Sequence, residues 1–133
     1  MFDMTAKEKR SYKMYLDDIH MAISRILEYT QGYDFTALIR DYKTIDAVIR
    51  NFEIIGEAAK NIPDELKEQY PDIPWHEMYS LRNRISHTYF GIDYEIIWDI
   101  ITNYLPDNKV QIERMNRQII ACDKIKAKEH NTK

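Results

Sequence analysis

Glycine and proline are scarce, with three and four residues in a chain of 133. A many-stranded sheet needs far more turn chemistry, so the shortage favours long helices joined by short connections. Cysteine is scarcer still. Cys122 stands alone, which excludes an internal disulfide framework and fits a reducing compartment. It follows Ile112, Met115 and Ile119 at helical spacing, so it is expected as a buried core thiol rather than a nucleophile. No apolar run approaches the length of a membrane span, and the N-terminal stretch has no signal-peptide hydrophobic region. A cytoplasmic protein without membrane insertion is expected. An excess of positive charge is also missing. The formal net charge of −3 argues against a general nucleic-acid coat protein. It leaves room for an enzyme that gathers positive charge in one cleft, because steering depends on local potential.

What the chain has is apolar side chains at helical period. The length supports a single domain over residues 1–133, with polar ends at 1–10 and 127–133 expected to be flexible. Thr5 and Glu8 fit a capping box. Beyond them Tyr12, Tyr15, Leu16, Ile19, Ala22, Ile23, Ile26 and Leu27 recur along one face, and Gly32 suits the end of that helix. Asp34 opens one or two turns reaching Arg40. A second long stripe runs through Ile45, Val48, Ile49, Phe52, Ile55, Ala58, Ala59 and Ile62. Gly56 inside it costs about 1 kcal/mol relative to alanine and points to a close helix contact.

Pro63 and Asp64 begin a short polar helix that ends near Pro71. Pro74 then opens a helix expected to run from Trp75 to Phe90, with Gly91 just past its end. Asp93 caps the next helix, whose expected buried face is Ile96, Ile97, Ile100, Ile101, Tyr104 and Leu105. Pro106 is expected to interrupt it, and Asp107 to restart a last helix reaching about Lys126. Most of the ten tyrosines fall in helical stretches where their rings can pack. The expected fold class is all-α, an antiparallel helical bundle of four to five main helices.

The residues able to do chemistry cluster between Leu81 and Gly91. On a helix advancing about 100° per residue, Met78, Leu81 and Ile85 mark a buried face. Asn83 and His87 are four apart and share a polar face, and Arg82 and Tyr89 lie at its border. This inventory suits RNA cleavage without a metal. That reaction moves a proton from the ribose 2′-hydroxyl and another to the leaving 5′-oxygen, and it develops phosphorane-like charge. Histidine, with an ordinary pKa of about 6.5, can transfer protons near neutral pH. Arginine stays charged and offers a fork matched to phosphate oxygens. Asn83 could donate to phosphate or orient the imidazole. Without further context, a lone helical histidine is more often a structural hydrogen-bonder, and the arginine could equally be solvated surface.

The string Arg82-x-x-x-x-His87-x-Tyr89 resembles the R-x(4)-H-x-Y signature of the HepT toxins, within the R-x(4–6)-H pattern of HEPN ribonucleases. Asp46 to Lys60 is similar to that family's second long helix, and Ile73-Pro74-Trp75 and Tyr89-Phe90-Gly91-Ile92-Asp93 match its wording around the active helix. The likeness runs from about residue 15 to residue 120 and leaves out the first ten residues. Ser86 departs from the family's usual aliphatic residue, at a variable position. The resemblance implies a helical homodimer whose two motifs face each other across a composite cleft and cut RNA with no metal or other cofactor. It assigns Arg82 and His87 to catalysis and Tyr89 to modification; Asn83, from its place beside His87, is expected to support the site. The resemblance further implies a cognate minimal nucleotidyltransferase antitoxin of the MntA type, which silences the toxin by AMPylation of Tyr89 and forms a higher assembly with it. Phosphate charge and bulk beside Arg82 would occupy the place of the RNA phosphate. The competing expectation is a non-catalytic helical adaptor that presents substrate to a nucleotidyltransferase. A further one is an RNA-sequestering protein without turnover.

Other signals carry less. His20, His76 and His130 lie far apart with no paired ligand spacing, so no zinc site is expected. Glu53 and Glu57 are four apart, which reads first as a solvated or ion-paired face and second as the border of a dimer cleft. Arg40, Lys43, Arg50 and Lys60 read as surface charge unless they line one groove with Arg82 and Arg84. Trp75, Tyr79, Phe90 and Trp98 read as core or dimer contacts.

Overall fold

Thr5 opens the first helix by accepting a hydrogen bond from the Glu8 amide at 3.1 Å, as its spacing from Glu8 predicts. In the computed structural model, which describes residues 5–85 and 91–131, this helix, α1, spans Ala6–Tyr29. It buries Tyr12, Leu16, Ile19, Ala22, Ile23 and Ile26. Thr30 closes it, its amide and hydroxyl both donating to the Ile26 carbonyl at 3.1 and 2.8 Å. Asp34 then caps α2, Phe35–Arg40, by accepting from the Ala37 amide at 2.8 Å.

Asp41 caps α3, Tyr42–Asn61. Its carboxylate accepts from the Thr44 amide at 3.1 Å, the Thr44 hydroxyl at 2.7 Å and the Tyr33 hydroxyl at 2.7 Å. The Tyr33 bond, first, and then the two from Thr44 hold the Asp41 carboxyl down at about 2, below its ordinary 3.8. The stripe from Ile45 to Ile62 faces inward, with Val48, Phe52, Ile55 and Ala59 fully buried. Asn51 is buried among them, and its amide donates to the Ala47 carbonyl at 2.8 Å. α1 and α3 form the most extensive helix pair, and α3 also carries α2, α5 and α6.

Three short helices follow: α4, Asp64–Gln69, α5, Trp75–Tyr79, and α6, Leu81–Ile85. The helix expected from Trp75 onward is therefore broken at Ser80, which sits at φ −86°, ψ 0°. Helical bonding still crosses the break, from the Ser80 amide to His76 and from the Arg84 amide to Ser80. Gly56 allows the close approach expected of it: a Cβ there would stand 3.3 Å from the Met78 carbonyl oxygen and 3.4 Å from that of Tyr79.

Asp93 caps α7, Tyr94–Asp99, by accepting from the Ile96 amide at 3.1 Å. Pro106 does not interrupt what comes next. A π-helical segment, Ile100–Tyr104, passes directly into α8, Leu105–Asn131. The wider turn accommodates a residue that lacks an N–H and would clash with the carbonyl one turn back in a regular helix. The π turn also shifts the inward face. Ile97, Ile100, Ile101 and Leu105 are buried, whereas Tyr104, expected among them, is 52% exposed. α8 passes Lys126 and continues to Asn131.

α8 packs on α1 through Ile112, Met115 and Ile119. Two half-exposed pairs flank that seam, Lys13 to Asp123 at 2.7 Å and His20 to Glu113 at 2.9 Å. Cys122 is exposed rather than buried, and the buried residues of α8 end at Ile119. Tyrosine behaves similarly: Tyr12 is buried, but Tyr29, Tyr42, Tyr79, Tyr94 and Tyr104 are exposed. The fold is all-α, with one continuous apolar core.

Candidate functional site

Trp75, Met78, Leu81 and Ile85 anchor α5 and α6 to the core. The Trp75 indole also donates to the Tyr70 carbonyl at 3.0 Å, which ties α5 to the loop before it. On α8, Gln111 donates to the Asp72 carbonyl at 2.9 Å and holds the same loop from the other side. With one face pinned, Asn83 and Arg84 are left exposed. The Asp93 amide donates to the Ile85 carbonyl at 3.3 Å, so the end of α6 and the cap of α7 are tied together.

Asn83 opens on a groove of about 540 Å³. Its middle wall is α3, with Arg50, Glu53, Ile54, Gly56, Glu57, Ala58 and Lys60. Tyr15 and Asp18 of α1 form one side, and Tyr79 of α5 with Asn83 of α6 forms the other. Arg50 lies 3.8 Å from Glu53 on the same helix, an exposed contact of small energetic weight. Tyr79, expected as a core or dimer contact, is 48% exposed and belongs to this groove.

Several residues singled out in the sequence meet here: Asn83, Glu53, Glu57, Arg50, Lys60 and Tyr79. Arg84 does not join them. It lines a separate, mostly apolar cavity with Ile23, Ile55 and Leu81. Arg40 and Lys43 are exposed and are not among the groove's lining residues. Arg82 lies on α6 between Leu81 and Asn83, but its side chain is outside the described residues, as are His87, Tyr89 and Phe90. His20 pairs with Glu113, and His76 stands beside Tyr79 with ring centroids 6.3 Å apart. The hydrogen bond from His20 is the main cause that holds the Glu113 carboxyl below the ordinary range. Among the described residues no group of three or more His, Cys, Asp or Glu is placed to hold a metal ion. None of their helices is long and apolar enough to cross a membrane.

Sequence reasoning missed the contribution of α1. Tyr15 reads as core, and Asp18 has no distinguishing pattern. Their one-turn spacing puts both on one side of α1, but the register that sets that side against α3 depends on packing between helices.

The model of the family described as Ribonuclease HepT-like matches residues 19–115. A Thermococcus cleftensis protein bearing the name ribonuclease HepT is 44% identical, over 82% of this chain and 99% of its own length. A Methanocaldococcus jannaschii protein with an RNase name is 41% identical, over 84% of this chain and 92% of its own. A second protein of that organism, also with an RNase name, is 40% identical over 79% of this chain and 96% of its own. No solved structure matches the chain significantly.

Proposed function

The chain belongs to the HepT-like ribonuclease family, and from that premise we propose that it is a metal-independent endoribonuclease toxin acting in the cytoplasm. The observation that carries the reading is the Arg82-x-x-x-x-His87-x-Tyr89 string inside the matched span, beside an Asn83 that faces a polar groove.

His87 transfers the protons. It takes one from the attacking 2′-hydroxyl or returns one to the leaving 5′-oxygen as the phosphorus–oxygen bond breaks. Arg82 binds the phosphate and is more strongly attracted as negative charge builds on it. Asn83, one residue along, steadies the phosphate or the imidazole. A second copy of the chain brings its own motif to the cleft, so the active form is a homodimer. Exposed single-stranded or looped RNA is the preferred substrate, because its backbone is easier to reach than that of an A-form groove.

Tyr89 is the switch. A cognate minimal nucleotidyltransferase transfers AMP from ATP to the Tyr89 hydroxyl, releasing pyrophosphate and leaving a phosphodiester beside Arg82. The added anion and bulk exclude the RNA phosphate. Intact mass before and after incubation with that enzyme, ATP and Mg²⁺ tests the switch, with Tyr89→Phe as control and RNA cleavage followed in the same samples. Mass gained in AMP units together with lost cleavage is expected. Cleavage that continues with the mass unchanged would refute the switch and spare the nuclease.

A further inference from the structure

The groove on which Asn83 opens is polar without being basic. Among its described lining residues, Asp18, Glu53 and Glu57 are set against Arg50 and Lys60, one negative charge in excess. A track for the RNA backbone needs the opposite balance, since every phosphate is an anion. The groove better suits the part of a nucleotide that carries donors and a flat face, its base. Its volume of about 540 Å³ falls in the range of roughly 300–1,000 Å³ typical of ligand pockets.

We infer that this groove is the base-reading subsite of the ribonuclease, and that it selects guanine through Glu57 with the Tyr79 ring as stacking platform. The inference rests on the ribonuclease reading above and adds to it a sequence preference.

Packing places the two residues. α3 lies between α1 on one side and α5 and α6 on the other. Gly56 brings the backbone of α3 against the carbonyls of Met78 and Tyr79, and Glu57, the next residue, is exposed and lines the same groove as Tyr79. Tyr79 is half exposed, and its described ring contact is a tilted one with His76. Glu57 makes no ion pair with a described residue, and its carboxylate accepts one long bond of 3.4 Å from Asn61. Glu53 instead has Arg50 nearby, and Asp18 sits on the wall away from α6. Lys60, one turn past Glu57, has no ion pair among the described residues and can meet the phosphate next to the bound base.

The choice of guanine follows from the donor pattern. A carboxylate is an acceptor only. Guanine presents N1–H and an N2 amino hydrogen side by side, matching both carboxylate oxygens. Adenine and cytosine each offer an amino group beside an acceptor nitrogen that a carboxylate repels. Uracil's single N–H lies between two carbonyl oxygens. Stacking tolerates any base, so Tyr79 contributes affinity and Glu57 contributes choice.

The test uses the full chain and labelled 2′-fluoro pentanucleotides, which lack the attacking hydroxyl and cannot be cut. They carry guanine, hypoxanthine, adenine, cytosine or uracil at the centre of a uridine background, and binding is read by fluorescence anisotropy at fixed salt. Guanine should bind about tenfold or more tighter than adenine, the discrimination of one good bidentate base contact. Hypoxanthine, which lacks the amino group, should fall between them. Glu57→Gln should abolish the preference, weakening guanine and tightening uracil, whose carbonyl oxygens the carboxylate repels. Tyr79→Leu should weaken every base and keep the preference. Equal binding of all bases by the wild type, or a preference that survives Glu57→Gln, would overturn the inference. So would a Glu57→Gln protein that changes oligomeric state with its base preference intact, which would mark the groove as a contact between copies. Cleavage of the all-ribose counterparts is scored separately, so a missing nuclease activity counts against the ribonuclease reading and not against base choice.

Discussion

Gly56 of α3 faces the backbone of Met78 so closely that a Cβ there would stand 3.3 Å from the Met78 carbonyl oxygen. The contact joins the helix carrying Glu53 and Glu57 to the pair of short helices that leads into the Arg82 to Tyr89 string. Gly56→Ala should raise helix propensity by about 1 kcal/mol and meet an overpacking cost of about 1–3 kcal/mol. The neighbour that must move is backbone, so strain wins and stability falls by about 1 kcal/mol net. Denaturant unfolding measures this directly. A more stable Gly56→Ala protein would show that α5 gives way freely and that the groove is not fixed by this contact.

Asp41 sets a pH dependence at the start of α3. Hydrogen bonds from Tyr33 and Thr44 lower its carboxyl from 3.8 to about 2 in the folded chain. A depressed folded value contributes stability above the unfolded value and loses it as pH falls through the folded one. The stability difference between wild type and Asp41→Asn, which keeps a helix-capping side chain, should therefore hold steady above about pH 5 and shrink towards pH 2. A difference independent of pH across that window would remove the carboxylate's role.

Local pattern made much of this architecture readable. The stripes of α1 and α3 and the caps at Thr5, Asp34 and Asp93 depend on neighbours three or four residues away, and each lies where its spacing puts it. Features that depend on the whole fold were not readable. Pro106 signals a broken helix, yet the chain widens into a π turn, and that turn carries Tyr104 off the buried face. Cys122 continues the pattern of Ile112, Met115 and Ile119, but no pattern within one helix reveals how far along it the buried face extends. In the site, the residue types of the Arg82 to Tyr89 string were legible. The alignment of Asp18 and Tyr15 with Glu57 and Asn83 was not, because it depends on the register between three helices.

Exposure of Cys122 has a direct consequence. The native protein should react with a small thiol reagent at one site, at a rate near that of the unfolded chain. Cys122→Ser should change stability by no more than about 0.5 kcal/mol, as is usual for surface substitutions. A native thiol that reacts only on unfolding would return Cys122 to the core.

Cleavage of total RNA by purified protein in excess EDTA shows whether the Arg82 and His87 motif cuts RNA. Wild type is compared with Arg82→Ala and His87→Ala, and helicity and melting temperature confirm that each variant is folded. Wild type should cleave RNA and EDTA should leave that cleavage unchanged, with a fall of about 100-fold or more in His87→Ala, in line with loss of a general acid–base group. Arg82→Ala should fall comparably. RNA cut equally well by folded His87→Ala, or left uncut by wild type alone at any concentration, would contradict cleavage by this motif.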